Sequence, residues 1–455
     1  MLALIAGAAS AQIQINSSPN IVGSGARALG MGGAFVAVAD DATAASWNPG
    51  GLTQLERPEL SLVYSWKWRS EDFSSEFHPE MDGGNSVDFS DVNYLSFVYP
   101  IPKTIGGRNL ILSLNYQRKY DFDRDLNFRY RDISAFTGGI GSFNTKVNYS
   151  QRGQLATLSP AFGFEITDRL SVGAVINIWD ESILPDNEWK VRQEERRVVR
   201  INGMTLPVSW SKLRVEENYD NFKGVNSTWG ILYKPTEHLS IGAVYTTKFN
   251  ADVDYSRVVR TNTMFAFPGY TKYSTDYTIT FPSAIGLGVA YRFPNDKLTL
   301  SFDVTRREWD QFILYDDHNP SISMHRVSGV TGLPKYLSSV DPTYTFRLGA
   351  EYVFVNPNKP EQNLLPSLRA GIFYDPEPAG GRRETWYGLG KVTGNVDDYY
   401  GFTLGAGILI HNRVNLDIAY QYRWGDNVRK DTFNMAGTDA DVDQHTIYLS
   451  TVIYF

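Results

Sequence analysis

The segment K-L-T-L-S-F-D-V-T-R-R-E-W, residues 297–309, decides the fold because its chemistry changes at every residue. In an extended chain, successive side chains point to opposite sides. The apolar side is therefore separated from the polar side: Leu298, Leu300, Phe302 and Val304 against Thr299, Ser301, Asp303, Thr305 and Arg307. A period of two residues indicates a β-strand whose faces meet different surroundings.

Fourteen segments of this kind follow one another as far as the C-terminus. They lie near 59–69, 92–101, 108–120, 153–166, 168–180, 222–234, 237–250, 277–293, 296–312, 343–355, 364–376, 399–410, 413–425 and 442–455. Tight turns such as Thr167-Asp168 and His411-Asn412 alternate with long polar insertions at about 121–152, 181–221, 251–276, 313–342, 377–398 and 426–441. Short turns at one end and long loops at the other are typical of outer-membrane barrels. We predict an all-β fold, a 14-stranded antiparallel transmembrane β-barrel.

The composition fits a barrel and excludes other classes. The chain has 27 Tyr, 25 Phe and 39 Gly, and its mean hydropathy of −0.29 is low because the lumen face of a barrel is polar. No run beyond the N-terminus approaches the roughly 18 apolar residues of a transmembrane helix. The absence of cysteine excludes disulfides and thiolate metal sites. A net charge of −7 argues against nucleic acid as a partner.

Aromatic residues gather at the ends of the predicted strands, as in the groups Tyr64, Trp66, Trp68 and Tyr420, Tyr422, Trp424. Belts at the two water–lipid boundaries produce this distribution, whereas the alternative, the core of a soluble sandwich, does not predict it. The last strand ends on Phe455 after alternating apolar residues, which resembles the C-terminal signal of substrates of the barrel-assembly machinery. We therefore expect a location in the bacterial outer membrane, with its lipids and lipopolysaccharide as neighbours and that machinery as a partner during biogenesis.

The N-terminal part of the chain does not alternate. Ala9-Ser10-Ala11 is an A-x-A cleavage pattern after an apolar run, so residues 1–11 are predicted to be the remnant of a signal peptide, with a short apolar strand as the alternative. Residues 12–56 are rich in small side chains and contain the turn Asn48-Pro49-Gly50. A segment this compact fits inside a barrel lumen. We predict a hatch (plug) at 12–56 and the barrel at 57–455.

The hatch sequence resembles a known family. Its Ala26-Arg27-Ala28-Leu29-Gly30 run, Ala39-Asp40-Asp41-Ala42-Thr43 and Trp47-Asn48-Pro49 are similar to the FadL/TodX (OMPP1) outer-membrane transporters of long-chain fatty acids and other hydrophobic compounds. The resemblance implies a 14-stranded barrel with a hatch, capture of a ligand by extracellular loops, a pocket above the hatch, and exit through a kinked third strand. The third strand here has no Gly or Pro. Gly50 replaces the family's Ala, from which we expect a turn that moves more easily.

Two sets of candidate site residues follow. The predicted hatch and gate residues are Arg27, Asp40, Asp41, Trp47, Asn48, Pro49 and Gly50. An amphipathic ligand needs an apolar slot and a cationic group, and the candidates are Phe35, Trp47, Met264, Phe265, Phe267, Arg347 and Arg423, with Arg307, Lys67 and Arg369 as further inward-facing cations. The alternative for each cation is structural pairing with acids such as Glu351, Asp417, Asp40 or Asp41.

No pattern points to an enzyme, a cofactor or a metal. The six histidines form no H-E-x-x-H pattern, and there is no G-x-S-x-G elbow or P-loop. The D-x-D-x-D runs that start at Asp121 and Asp439 lack the Gly and Glu of an EF-hand and are interpreted as solvated acids. The leading hypothesis is a passive transporter of hydrophobic molecules, with long-chain fatty acids as the expected ligands. The alternative is a FadL-like barrel that binds a secretion-system protein, as in type IX secretion.

Overall fold

The computed structural model describes residues 20–102, 106–136, 139–201, 209–264, 266–316, 326–356, 362–379, 392–394, 396–430 and 437–455. The predicted leader, residues 1–11, and the candidate Phe265 lie outside these ranges. No helix in the described part of the chain is long and apolar enough to cross a membrane.

Fourteen antiparallel strands close into a barrel, because the last strand pairs with the first along its length. Numbered with all other strands in chain order, they are β1 Glu59–Ser75, β2 Gly83–Pro100, β3 Leu110–Asp121, β5 Gly139–Thr167, β6 Leu170–Asp180, β8 Ser209–Tyr233, β9 Leu239–Thr246, β12 Ala284–Arg292, β13 Leu298–Arg307, β17 Thr343–Val353, β18 Leu364–Tyr374, β22 Tyr400–Ile410, β23 Val414–Val428 and β24 Thr438–Tyr454. The predicted fold class and strand count are confirmed.

The outer wall of the barrel is apolar where lipid covers it. On β12, Ile285, Leu287 and Val289 are 49%, 58% and 39% exposed, while the alternate residues Gly286 and Gly288 face the lumen. A water-soluble protein does not display continuous apolar walls of this kind. Their alternation with small or polar lumen residues is the pattern of a transmembrane barrel.

Three of the long insertions are strands rather than the predicted polar loops. A sheet above the barrel, called here the projecting sheet, contains the first halves of β5 and β8 together with β4 Arg124–Phe136, β7 Trp189–Ile201, β10 Phe249–Thr263 and β11 Ala266–Phe281. In it β4 and β7 pair with β5, β7 and β10 pair with β8, and β11 pairs with β10. Its inner face carries apolar side chains, among them Phe128 and Val147, in a buried cluster, and its outer face meets water. The expectation of loops was therefore wrong for most of 121–152, 181–221 and 251–276.

Six short strands complete the long-loop end. They are β14 Ile313–Asp316, β15 Arg326–Ser328, β16 Ser338–Val340, β19 Glu377–Pro378, β20 Val392–Gly394 and β21 Val396–Asp397. β14 and β15 continue the projecting sheet, whereas β16 pairs with β20 and β19 pairs with β21.

The described part of the predicted hatch, from residue 20 onward, lies inside the lumen near the short-turn end. It contains helix α1 Ala26–Gly30, helix α2 Ala44–Trp47 and a 3-10 turn Pro49–Gln54. It touches the wall at five lumen-facing glycines, where a Cβ atom would stand 2.2–2.3 Å from a hatch atom, which is the Asn48 side-chain oxygen at Gly230 and a backbone atom at the other four: Gly173, Gly230, Gly242, Gly349 and Gly371. These five residues are called here the glycine belt. Only glycine permits so close an approach of two backbones.

Candidate functional site

An internal cavity of about 200 Å³ lies directly above the hatch. Hatch residues form its floor, among them Val22, Gly33 and Trp47. The Trp47 indole is fixed by a hydrogen bond from its Nε1 to the Ser24 carbonyl oxygen, 2.8 Å. The walls come from strands around the whole barrel, so the cavity occupies the lumen rather than one side of it.

One wall of the cavity is aromatic. Its rings are Tyr120, Trp179, Phe249 and Phe281, and the ring centroids of Phe249 and Phe281 are 5.0 Å apart. These rings continue into a buried aromatic cluster at the long-loop end, which contains the stacked pair Trp189 and Tyr219. The wall offers an apolar chain a slot of polarizable surface.

The remaining wall carries five cations and only two carboxylates. Three of the cations have acidic partners. Arg423 lies 2.8 Å from Glu377, Arg347 lies 3.6 Å from Asp375, and Lys67, the third, pairs with an aspartate outside the cavity lining. For these three, the structure supports the structural alternative weighed from the sequence.

Lys119 and Arg307 are different. Neither has an ion pair within 4 Å or a side-chain hydrogen bond among the described residues, and the one close contact found for Arg307 is the Trp309 ring, 5.8 Å away. They reach the lumen from β3 and β13, which lie on opposite sides of the barrel, and their charges interact across it. A buried charge without a partner is costly. The cavity therefore has a surplus of positive charge.

Below the cavity, a chain of buried ion pairs ties the hatch to the wall. Arg27 of α1 donates to Asp40 at 2.6 Å and binds Glu351 of β17 through two nitrogens, at 2.9 and 2.8 Å. Glu351 and Asp417 each accept from Arg369 at 2.7 Å. Paired forks of this kind are among the strongest hydrogen bonds in proteins.

The pKa values of two neighbouring hatch acids are shifted in opposite directions. Burial alone would raise the pKa of the Asp40 carboxyl, but the charges of Arg27 and Arg292 outweigh it and hold the pKa below its usual value. Burial also raises the pKa of the Asp41 carboxyl, and there it prevails because Arg27 is 3.6 Å away. Asp41 instead accepts hydrogen bonds from the backbone and hydroxyl of Thr43. Asp40 is thus the hatch carboxylate that binds the wall.

The Asn48-Pro49-Gly50 turn holds the hatch through its backbone. The Asn48 amide donates to the carbonyl oxygens of Val36 and Ile231 at 2.8 and 3.0 Å and accepts from Gly50 N at 3.0 Å. At Gly50, a Cβ atom would stand 3.0 Å from the backbone nitrogen of Leu232. Glycine at position 50 therefore allows the turn to pack tightly against β8. This contact gives a packing reason for the glycine, whereas the sequence had suggested a more mobile turn.

The ligand candidates divide into those at the cavity and those away from it. Trp47, Arg347 and Arg423 line it. Phe35 is fully buried in the hatch, edge-on to Trp47 with ring centroids 6.2 Å apart, and takes no part in the lining. Met264 and Phe267 lie at the far end of the β10–β11 hairpin, about 50 Å of strand beyond the cavity residue Phe249.

Sequence reasoning missed Lys119 and Glu377. Lys119 continues the lumen-facing alternation of Ser113, Asn115 and Gln117, so a stricter use of the period would have found it. It sits where β3 gains one residue relative to β5, in a β-bulge between Arg118 and Tyr120. Glu377 had no such signal, because it lies in an insertion that was predicted as a loop.

Comparison with known proteins agrees with this architecture. A family model described as "Outer membrane protein transport protein (OMPP1/FadL/TodX)" matches residues 1–452. No curated protein sequence matches the chain. Solved structures with a similar fold include a Pseudomonas aeruginosa FadL homologue, 14% identical over 96% of this chain and 99% of that one, with a TM-score of 0.59.

Two further structures are similar over nearly their whole length. The Pseudomonas putida toluene transporter TodX is 14% identical over 96% of this chain and 99% of its own, with a TM-score of 0.55. The CymD monoaromatic hydrocarbon channel is 15% identical over 96% of this chain and 98% of its own, with a TM-score of 0.53. At this identity, the likeness concerns the fold.

Proposed function

The chain belongs to the OMPP1/FadL/TodX family of outer-membrane transport proteins, and from that premise we propose that it carries an anion with a long apolar tail, most simply a long-chain fatty acid. The family consists of transport channels rather than enzymes, in line with the sequence. The proposal rests on two cations beside the aromatic wall of the lumen cavity, Lys119 and Arg307, for which the described residues supply no ion-pair partner.

The charge balance favours an anion over a neutral hydrocarbon. A hydrocarbon would displace water from Lys119 and Arg307 without offering them a hydrogen bond or an opposite charge. The cost of two buried charges would therefore oppose binding. A carboxylate would compensate both charges and accept charge-assisted hydrogen bonds. Its tail would gain about 0.8 kcal/mol for each methylene that leaves water for the aromatic wall.

The hatch determines how a ligand would leave the cavity. In the described structure the hatch lies beneath the cavity, attached to the wall by the ion-pair chain through Arg27 and by the Asn48 amide. A ligand in the cavity touches the hatch at Trp47 and Gly33. We infer that passage requires the hatch to shift, with Arg27, Asp40, Asp41 and the Asn48-Pro49-Gly50 turn as the parts that yield. Exit through β3 stays an expectation from the family.

Uptake distinguishes these ligands. Cells that lack their own transporter and express this barrel should take up oleate faster than cells with an empty vector, and the Lys119→Gln/Arg307→Gln variant should lose most of that gain. Toluene uptake serves as the neutral comparison and should respond little to the double variant. Unchanged oleate uptake, with no fatty acid co-purifying, would reject the proposal. Stable co-purification of large secretion proteins would favour the alternative role instead.

A further inference from the structure

Four cations stand in one row across the outer face of the projecting sheet. Direct cross-strand pairing joins Arg129 of β4 to Lys146 of β5, Lys146 to Arg196 of β7, and Arg196 to Lys212 of β8. Directly paired residues share a face, and this face is opposite to the buried Phe128 and its cluster. The row spans three strand spacings, about 14 Å.

No acid forms an ion pair with the row in the described ranges, although the charge of Lys212 acts on Glu194. Like charges placed directly opposite each other destabilise a sheet, and none of the four has an ion pair or a side-chain hydrogen bond within the described ranges. The acids closest to the row on this face, Glu194 and Glu216, are each paired with an arginine two residues away on their own strand. The arrangement is therefore costly unless an external anion meets it.

Apolar side chains stand just beyond the row on the same sheet. Ile133, Trp210 and Met264 are 66%, 41% and 49% exposed, and Met264 N donates to the Trp210 carbonyl oxygen across the β8–β10 pair. Phe267, at the adjoining hairpin tip, is 96% exposed. Trp210 is two residues from Lys212, so apolar groups and cations are separated by about 7 Å. These four residues are called here the apolar fringe.

We propose that the projecting sheet docks, through its apolar fringe and the cationic row beneath it, on an anionic lipid surface outside the cell, such as a vesicle. Apolar groups that enter the acyl boundary with cations at the headgroup level are the general means of interfacial binding. The protein's own membrane is too distant, because about 43 Å of β8 separates Lys212 from Val225, an exposed residue of the barrel wall. A soluble polyanion would use the row but not the fringe.

Docking rests on the proposed function, to which it adds by concentrating amphipathic ligand near the barrel. Its test measures vesicle binding and does not depend on transport. The full chain in nanodiscs of phosphatidylcholine is floated with vesicles of phosphatidylcholine and phosphatidylglycerol in equal parts, or of phosphatidylcholine alone. We expect binding to the anionic vesicles only. Equal binding to both vesicles, or equally strong binding to soluble dextran sulfate that competes with the vesicles, would overturn the proposal.

Variants separate the two components. Arg129→Gln, Lys146→Gln, Arg196→Gln and Lys212→Gln together should weaken vesicle binding at least about tenfold. The matched control neutralises four cations at the short-turn end, Arg108→Gln, Arg169→Gln, Lys297→Gln and Arg413→Gln, and should bind like the wild type; an equal loss there would overturn the proposal. Trp210→Ser with Met264→Ser removes apolar groups of the fringe and should abolish binding to the anionic vesicles. That variant decides the matter alone if the fourfold variant fails to assemble.

Discussion

The hatch–wall boundary and the cavity directly above it are built on opposite principles. At the boundary, the glycine belt lets backbones touch, and Arg27, Asp40, Glu351, Arg369 and Asp417 all have partners of opposite charge. In the cavity, an aromatic wall faces Lys119 and Arg307, which have no such partner within the described part of the chain. A satisfied network stabilises one arrangement, whereas an unsatisfied one has free energy to gain from a ligand. We infer that the lower region keeps the lumen closed and that the upper region binds the ligand.

The largest expected effect comes from breaking the lower region at its centre. Arg27→Ala leaves Glu351 and Asp40 buried with fewer cationic partners, and removing one partner of a buried pair costs about 3–5 kcal/mol. We expect hydrogen exchange of the backbone amides of residues 24–54 to show that loss in the free energy of hatch opening. Arg423→Ala, which removes a buried cation of the cavity that pairs with Glu377, is the matched control and should leave hatch exchange nearly unchanged. Equal exchange in both variants would show that the ion-pair chain does not hold the hatch.

Asp40→Asn tests the same chain through its pH dependence. Because the folded-state pKa of Asp40 is lowered, its ionised form stabilises the hatch above the unfolded pKa of about 3.9 and ceases to do so as pH falls through the folded value. The variant should lose about 1.5–3 kcal/mol of hatch stability at pH 7. The difference in hatch stability between the variant and the wild type should become smaller below about pH 4. The exposed Asp341→Asn should show no such difference, and a constant difference for Asp40→Asn at every pH would contradict the assignment.

A smaller effect is expected from crowding the glycine belt. In Gly349→Ala the new methyl group would stand 2.2 Å from the Met31 carbonyl oxygen, and overpacking of this kind costs about 1–3 kcal/mol. Gly286→Ala is the matched control on a lumen-facing position, since its nearest neighbour would be the Thr305 hydroxyl at 3.3 Å. Midpoints of denaturant unfolding compare the two. If both variants unfold at the same denaturant concentration, hatch contact is not the reason for glycine in the belt.

The barrel could be predicted from the sequence because lipid outside and polar lumen inside impose the same period on every strand. The projecting sheet was missed for a related reason. Its strands have a buried inner face but an outer face in water, so β7, with its run of charged residues, looks like a polar loop. The buried apolar positions, such as Phe128 and Val147, held the signal that was overlooked.

The candidate site was less accessible to sequence reasoning. The alternation of side chains along each strand predicted that Arg307, Arg347 and Arg423 face the lumen, and all three line the cavity. Which of them is paired depends on contacts between distant segments, such as Arg423 with Glu377. Cross-lumen distances of this kind follow from barrel closure and not from spacing along the chain. The unpaired state of Arg307 therefore became visible only in three dimensions.

The most direct test compares an acid with its neutral analogue in the upper region. Binding of oleate and of oleyl alcohol to the purified barrel is measured by calorimetry for the wild type, Lys119→Gln/Arg307→Gln and the control Arg347→Gln. We expect the double variant to bind oleate at least about tenfold more weakly, a loss of about 1.4 kcal/mol, and to bind oleyl alcohol as the wild type does. Equal affinities of the double variant and the wild type for oleate would contradict this expectation.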